Sequence, residues 1–113
     1  MTVTLFHNPK CSTSRAALTL LREEGVEPVV VEYLKTGWDQ ETLERLAAKT
    51  GLGLAGLLRR KEAEAKALLD AKADDEAILA AVLAAPVLIE RPIAESAKGA
   101  VIGRPAERVL DVL

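Results

Sequence analysis

The 113-residue chain has one cysteine, one histidine and three aromatic residues, Phe6, Tyr33 and Trp38. Each scarcity excludes something. A single Cys cannot close an internal disulfide, so this is not a small secreted domain held together by staples. One Cys and one His fall short of the four Cys/His ligands of a usual zinc site, so no metal is expected. Three aromatics are too few for a platform that stacks single-stranded nucleic acid. A formal net charge of -2 lacks the basic surplus of a nucleic-acid binder. No apolar run reaches the roughly 18 residues of a membrane-spanning helix. The start, Met1-Thr2-Val3-Thr4-Leu5-Phe6, has neither the charged region nor the long apolar stretch of a secretory signal. The expectation is a cytoplasmic chain with no nucleic-acid and no membrane partner.

What is present can build a core. Half of the residues are apolar, with 19 Ala and 18 Leu, so helices should dominate a single domain over residues 1–113. Thr2–Phe6 alternates Thr with apolar residues and reads as a strand. His7-Asn8-Pro9-Lys10 breaks it. Ser12, Thr13 and Ser14 supply hydroxyls that can cap the helix that follows, and Gly25 stops that helix. Pro28–Leu34 is β-branched and apolar, the strongest strand signal of the chain. Strand, helix, strand at this length is a βαβ unit with parallel strands.

A helical insertion of about 38–85 follows. Asp39 caps a helix carrying Leu43, Leu46 and Ala47 and ending near Gly51. Short helical pieces cover Leu54–Leu58 and Glu62–Ala71. Asp74 or Asp75 opens another, with Ile78, Leu79, Val82 and Leu83 at helical spacing, and Pro86 ends it. Val87-Leu88-Ile89 reads as a third strand, and Lys98-Gly99 as a turn into a fourth, Ala100-Val101-Ile102. Pro105 suits the first position of a last helix, Ala106–Val112. The sum is an α/β domain with a helical insertion between strands 2 and 3.

The chemistry concentrates in His7-Asn8-Pro9-Lys10-Cys11-Ser12-Thr13-Ser14-Arg15, between the first strand and the first helix. Open α/β sheets bind ligands at the carboxyl ends of their strands. A helix N-terminus presents unpaired N–H groups and partial positive charge, which favour a thiolate or a bound oxyanion. Lys10, Arg15 and His7 add to the setting, so Cys11 is a candidate nucleophile of depressed pKa. The plain alternative is a small buried hydrophobe. Its flanks, Lys10 and Ser12, do not suit that alternative. The glycines of a phosphate-loop NTPase are missing. A cysteine-phosphatase loop would place Arg at position 17, which is Ala17. Cys11 and Ser14 form a Cys-x-x-Ser, the monothiol variant of a thioredoxin-type Cys-x-x-Cys.

Four segments in order carry a family resemblance. They are His7–Arg15, Gly56-Leu57-Leu58-Arg59-Arg60, Ile89-Glu90-Arg91-Pro92-Ile93 and Ile102-Gly103-Arg104-Pro105. Together they resemble the glutaredoxin-coupled arsenate reductases over nearly the whole chain. The resemblance implies a thioredoxin-like fold: a four-stranded mixed sheet flanked by helices. It implies that Cys11 is the catalytic nucleophile and that Arg59, Arg91 and Arg104 bind the oxyanion. Arg59 is matched rather than Arg60 because it directly follows the paired leucines. His7 and Ser14 match thiol-activating positions, and Pro92 a cis-proline beside the site. The implied reaction is arsenate to arsenite, with glutathione as co-substrate, glutaredoxin as partner, and no bound cofactor or metal. A monomer is expected.

The physics agrees with the borrowed roles. Several guanidinium forks can offset the charge of a tetrahedral oxyanion that would otherwise repel a thiolate. A chain with one Cys needs an external resolving thiol. The competing readings are a glutaredoxin-like thiol transferase, a thiol-stress regulator that binds RNA polymerase, and a structural domain with an incidental Cys. Without the resemblance, Arg59, Arg91 and Arg104 would read as solvated surface charges, as Arg22, Arg45, Arg60 and Arg108 do. His7 would read as a hydrogen-bonded structural residue, and Ser14 as a cap.

Overall fold

The computed structural model describes residues 2–113, and Met1 lies outside them. Contacts divide the chain into two compact units. One holds the residues up to Thr36 together with Arg91–Leu113, and the other is Gly37–Glu90.

The first unit contains β1 (Thr4–Phe6), α1 (Ser12–Glu23), β2 (Val29–Val31), the single turn α2 (Tyr33–Thr36), β3 (Ile93–Ser96), β4 (Gly99–Ile102) and a terminal 3₁₀ segment, Ala106–Val112. The sheet order is β2-β1-β3-β4. β1 and β2 run parallel with Leu5 opposite Val30, as a βαβ unit requires. β3 is antiparallel to β1, with Ala94 opposite Leu5, and β4 is antiparallel to β3, with Val101 opposite Ala94. This is the mixed four-stranded sheet of the thioredoxin-like class. β3 is a central strand, and all four of its residues are buried.

Helix α1 covers the sheet through Ser14, Ala17 and Leu21, spaced three and four residues apart on one face. Ala17 and Leu21 join Val3, Leu5, Ala94, Ala106, Val109 and Val112 in one apolar cluster. The terminal 3₁₀ segment thus shares the core that α1 closes. Ser96 Oγ donates to Val112 O at 2.6 Å and ties that segment to β3.

The second unit is helical and contains the insertion. It comprises α3 (Gln40–Thr50), α4 (Gly53–Gly56), α5 (Ala63–Asp70), α6 (Asp75–Ala84) and a 3₁₀ turn, Pro86–Leu88. Asp39 caps α3 by accepting from Thr42 N, and Gly51 ends it in the left-handed region at φ 73°. Asp74 caps α6 by accepting from Ala77 N. Ile78 and Val82 are buried on α6, whereas Leu83 is exposed. Leu58 and Ile89 form an antiparallel bridge, and Arg59 N donates to Leu88 O and Glu90 N to Leu57 O. No helix of the described residues is long and apolar enough to cross a membrane.

Four local expectations are corrected. The third strand is Ile93–Ser96, not Val87–Ile89, because Pro86 opens a 3₁₀ turn there and leaves only the Ile89 bridge. The second strand stops at Val31, since Lys35 N and Thr36 N donate to Glu32 O and turn the chain into α2. The closing segment Ala106–Val112 is 3₁₀ rather than α, and Pro105 precedes it as its N-cap. The hydroxyls of Ser12–Ser14 do not cap α1: Cys11 takes the N-cap position, with an extended backbone.

Gly103 is a packing requirement of the first unit. A Cβ there would lie 2.6 Å from Val109 Cγ1 and 2.9 Å from Pro92 Cγ. Gly103→Ala should therefore cost about 1–3 kcal/mol, the usual range for overpacking. Urea unfolding should show a lowered midpoint with an unchanged slope.

Candidate active site

The site begins where β1 gives way to α1. His7 N donates to Val31 O at 2.8 Å and pins the end of β1 to β2. Asn8 then organises the turn. Its Oδ1 accepts from Lys10 N at 3.0 Å, and its carbonyl accepts from Cys11 N at 3.0 Å. Arg15 Nη1 donates to Pro9 O at 2.9 Å, and Arg15 N closes the first helical turn on Cys11 O. Asn8 is a structural residue of the site that pattern reading passed over. An Asx residue ahead of a helix start is the signal that could have found it.

Ser14 is fully buried, so its hydroxyl needs partners. Asn8 N donates to Ser14 Oγ at 3.1 Å, and His7 Nδ1 lies 2.7 Å from the same oxygen. His7 is itself buried. Its pKa is lowered chiefly by that burial, against the attraction of Glu32, with Arg15 and Arg22 adding to the lowering. His7 is thus neutral at pH 7, and its ring shares one proton position with the Ser14 hydroxyl.

Cys11 is partly exposed. Burial pushes its thiol pKa up, but the Ser14 backbone N–H, hydrogen bonds from Arg91 and Arg104, and the Arg91 charge overcome this and bring it to about 7. Arg104 Nη1 sits 3.9 Å from Cys11 Sγ and also donates to Arg91 O at 3.0 Å. The two arginines flank the β3–β4 hairpin in sequence, Arg91 before β3 and Arg104 after β4, and so meet at its open end, far from Cys11 in sequence. The peptide bonds Arg91-Pro92 and Arg104-Pro105 are both cis. The cations that stabilise the thiolate are therefore Arg91 and Arg104, where sequence proximity had pointed to Lys10, Arg15 and His7.

The first unit thus brings together Cys11, His7, Ser14, Arg91, Pro92 and Arg104. Arg59 belongs to the second unit. There Arg59 Nη1 donates to Glu90 Oε1 at 2.6 Å, and Arg59 Nε lies 4.0 Å from Glu62 Oε1. Glu90 was not singled out in the sequence, and it stands 31 residues from Arg59. No local pattern announces such a pair. Arg22 and Arg108 lie on the surface in ion pairs with Glu27 and Asp111.

A thiolate at pH 7 beside two guanidinium groups can attack an electrophilic oxyanion while its charge is offset. The rate of Cys11 alkylation by iodoacetamide should rise with a midpoint near pH 7. Arg104→Gln should move that midpoint upward, toward the free-thiol value of about 8.5. An unmoved midpoint would mean that Arg104 does not stabilise the thiolate.

Comparison with known proteins identifies the family. The model of the ArsC family matches residues 6–112. An arsenate reductase of Rhizobium meliloti is 43% identical, over 100% of this chain and 82% of its own length. The uncharacterized protein YfgD of Escherichia coli is 45% identical, over 98% of this chain and 96% of its own. The solved structure of an arsenate reductase from Vibrio cholerae superposes with a TM-score of 0.91 at 42% identity, covering 100% of this chain and 98% of that one. With a family match across almost its full length, four ordered motifs and a shared architecture, the chain belongs to the ArsC family.

Proposed function

We propose that the chain is an arsenate reductase that turns arsenate into arsenite at Cys11, with glutathione and glutaredoxin as the thiol donors. The observation that carries this reading is the pair Arg91 and Arg104 on the sulfur of a thiol whose pKa is about 7. A plain thiol transferase needs the thiolate but not two guanidinium groups beside it. An oxyanion substrate needs both.

The steps follow from the groups present. The Cys11 thiolate attacks arsenic, a sulfur–arsenic bond forms, and an arsenate oxygen leaves as water after taking up protons. Arg91 and Arg104 bind the remaining oxygens and offset their charge. Arg59 enters as a third oxyanion ligand on the resemblance alone. His7 and Ser14 hold the turn that aims the thiol. Glutathione then attacks the adduct. Arsenic gains two electrons and departs as arsenite, while Cys11 and glutathione, each giving one electron, end as a mixed disulfide. Glutaredoxin takes over that glutathione and returns the Cys11 thiol. No step uses a metal or a bound cofactor.

The test is NADPH oxidation coupled through glutathione reductase, with arsenate, glutathione and glutaredoxin present. Wild type should turn over and Cys11→Ser should not. Arg91→Ala should lower kcat/KM for arsenate by at least about tenfold, the worth of a charge-assisted contact of about 1.5–3 kcal/mol. The thermal midpoint should change far less. Turnover without arsenate, or an activity loss that only tracks unfolding, would refute the assignment.

A further inference from the structure

Arg59 already holds an anion of the chain's own. Its side chain is 11% exposed, and its Nη1 donates to Oε1 of Glu90, whose side chain is 21% exposed, at 2.6 Å. The main chain builds this contact. Leu58 and Ile89 form a bridge, Arg59 N donates to Leu88 O at 2.7 Å, and Glu90 N donates to Leu57 O at 2.8 Å. These bonds lay Arg59 against residues 88–90. Glu62 is the weaker partner, 4.0 Å from Arg59 Nε with a side chain 37% exposed. Glu90 is bonded directly to Arg91, whose guanidinium donates to the Cys11 sulfur. The chain itself therefore joins the pair to the thiol site.

A nearly buried guanidinium is costly without an anion, so the Glu90 carboxylate stabilises Arg59 when no ligand is bound. The same carboxylate opposes a ligand. Oxyanions engage arginine best through two parallel N–H bonds. Among the described residues, Arg59 donates a side-chain hydrogen bond through Nη1 alone, and Glu90 takes it. We propose that Glu90 is a resident competitor for Arg59. A tetrahedral oxyanion gains the full fork only by displacing the Glu90 carboxylate, so Glu90 sets how tightly the site holds a dianion. The inference rests on the proposed reading of Arg59 as an oxyanion ligand. Its consequence is selectivity. Phosphate has the shape and charge of arsenate but is not reduced by thiols, so tighter ground-state binding would also fill the site with phosphate. A resident carboxylate keeps that binding weak. Attack by a thiolate adds negative charge to the oxyanion, and the competition for Arg59 then tips toward the reacting ligand.

Inorganic phosphate is the probe, and protection of Cys11 from iodoacetamide, a neutral reagent, is the readout. The measured quantity is the phosphate concentration that halves the alkylation rate, which cancels any change in the basal reactivity of Cys11. Glu90→Gln keeps the shape and an acceptor oxygen for Arg59 Nη1 but removes the charge. It should lower that concentration about tenfold, the worth of one charge-assisted contact released to the ligand. A merely structural role predicts the reverse, because a loosened site binds less well. In the Arg59→Gln background the gain from Glu90→Gln should fall below about twofold, since no guanidinium is left to release. A gain that persists there is plain charge repulsion and overturns the inference. Protection that is unchanged or weaker in Glu90→Gln, or absent from both proteins, overturns it too. Arsenate turnover is read separately. Its absence with the Glu90→Gln gain intact refutes the reductase reading and leaves the competitor standing, whereas turnover without the gain refutes the competitor alone.

Discussion

A buried hydroxyl holds the reactive segment in place. Ser14 lies on the same stripe of α1 as Ala17 and Leu21, so the depth at which α1 packs also sets the depth of Ser14. Once buried, its Oγ cannot turn to water, and an unpaired polar group there would cost about 1–3 kcal/mol. Its burial is made affordable by His7 Nδ1 and Asn8 N, which both reach it. Those two residues end β1, which β2 pins through Val31 O. Core packing, strand pairing and the N-terminus of α1 therefore meet at one oxygen. Cys11 is carried on the turn between them.

The electrostatics of the thiol are local. The chain is acidic overall, with a net charge of -2, yet the thiolate is favoured. Burial alone would raise the thiol pKa, so discrete donors have to reverse it. Arg104 is the best fixed of them, because the nitrogen facing Cys11 Sγ also donates to the Arg91 carbonyl. That carbonyl belongs to the residue whose own guanidinium meets the same sulfur. The two arginines thus position one another, and β3 pairing with β4 sets their spacing. Arg59 differs in kind: carboxylates of Glu90 and Glu62 already offset its charge.

The parts of the fold that were legible are those specified by neighbours in sequence. The parallel β1–β2 pair follows from an alternating Thr/apolar stretch, a helix and a β-branched apolar run. The start of α3 follows from Asp39, and its end from Gly51. The third strand was not legible. Val87-Leu88-Ile89 has the better strand composition, yet Pro86 gives it a 3₁₀ turn. Ile93-Ala94-Glu95-Ser96 has a poor strand composition and is extended because β1 and β4 pair with both of its edges. Tertiary pairing overrides propensity there. The same division runs through the site. Cys11 stands out by its local setting after a strand and at a helix start. The partners that tune it, Arg91 and Arg104, come from the far end of the chain, and residue pattern alone would have left them as surface charges.

The lone cysteine also constrains how its pKa can be set. With no second Cys in the chain, whatever resolves an adduct at Cys11 has to come from solution, so the sulfur must stay accessible. Accessible sulfur cannot be surrounded by protein dipoles on every side. The turn resolves this by alternating its exposure. His7, Asn8 and Ser14 are buried, Pro9 and Lys10 are exposed, and Cys11 is intermediate. The buried members fix the geometry. The exposed members leave an approach to the sulfur. Three directed donors then do what full enclosure cannot, since deeper burial would close the sulfur off from solution and raise its pKa together.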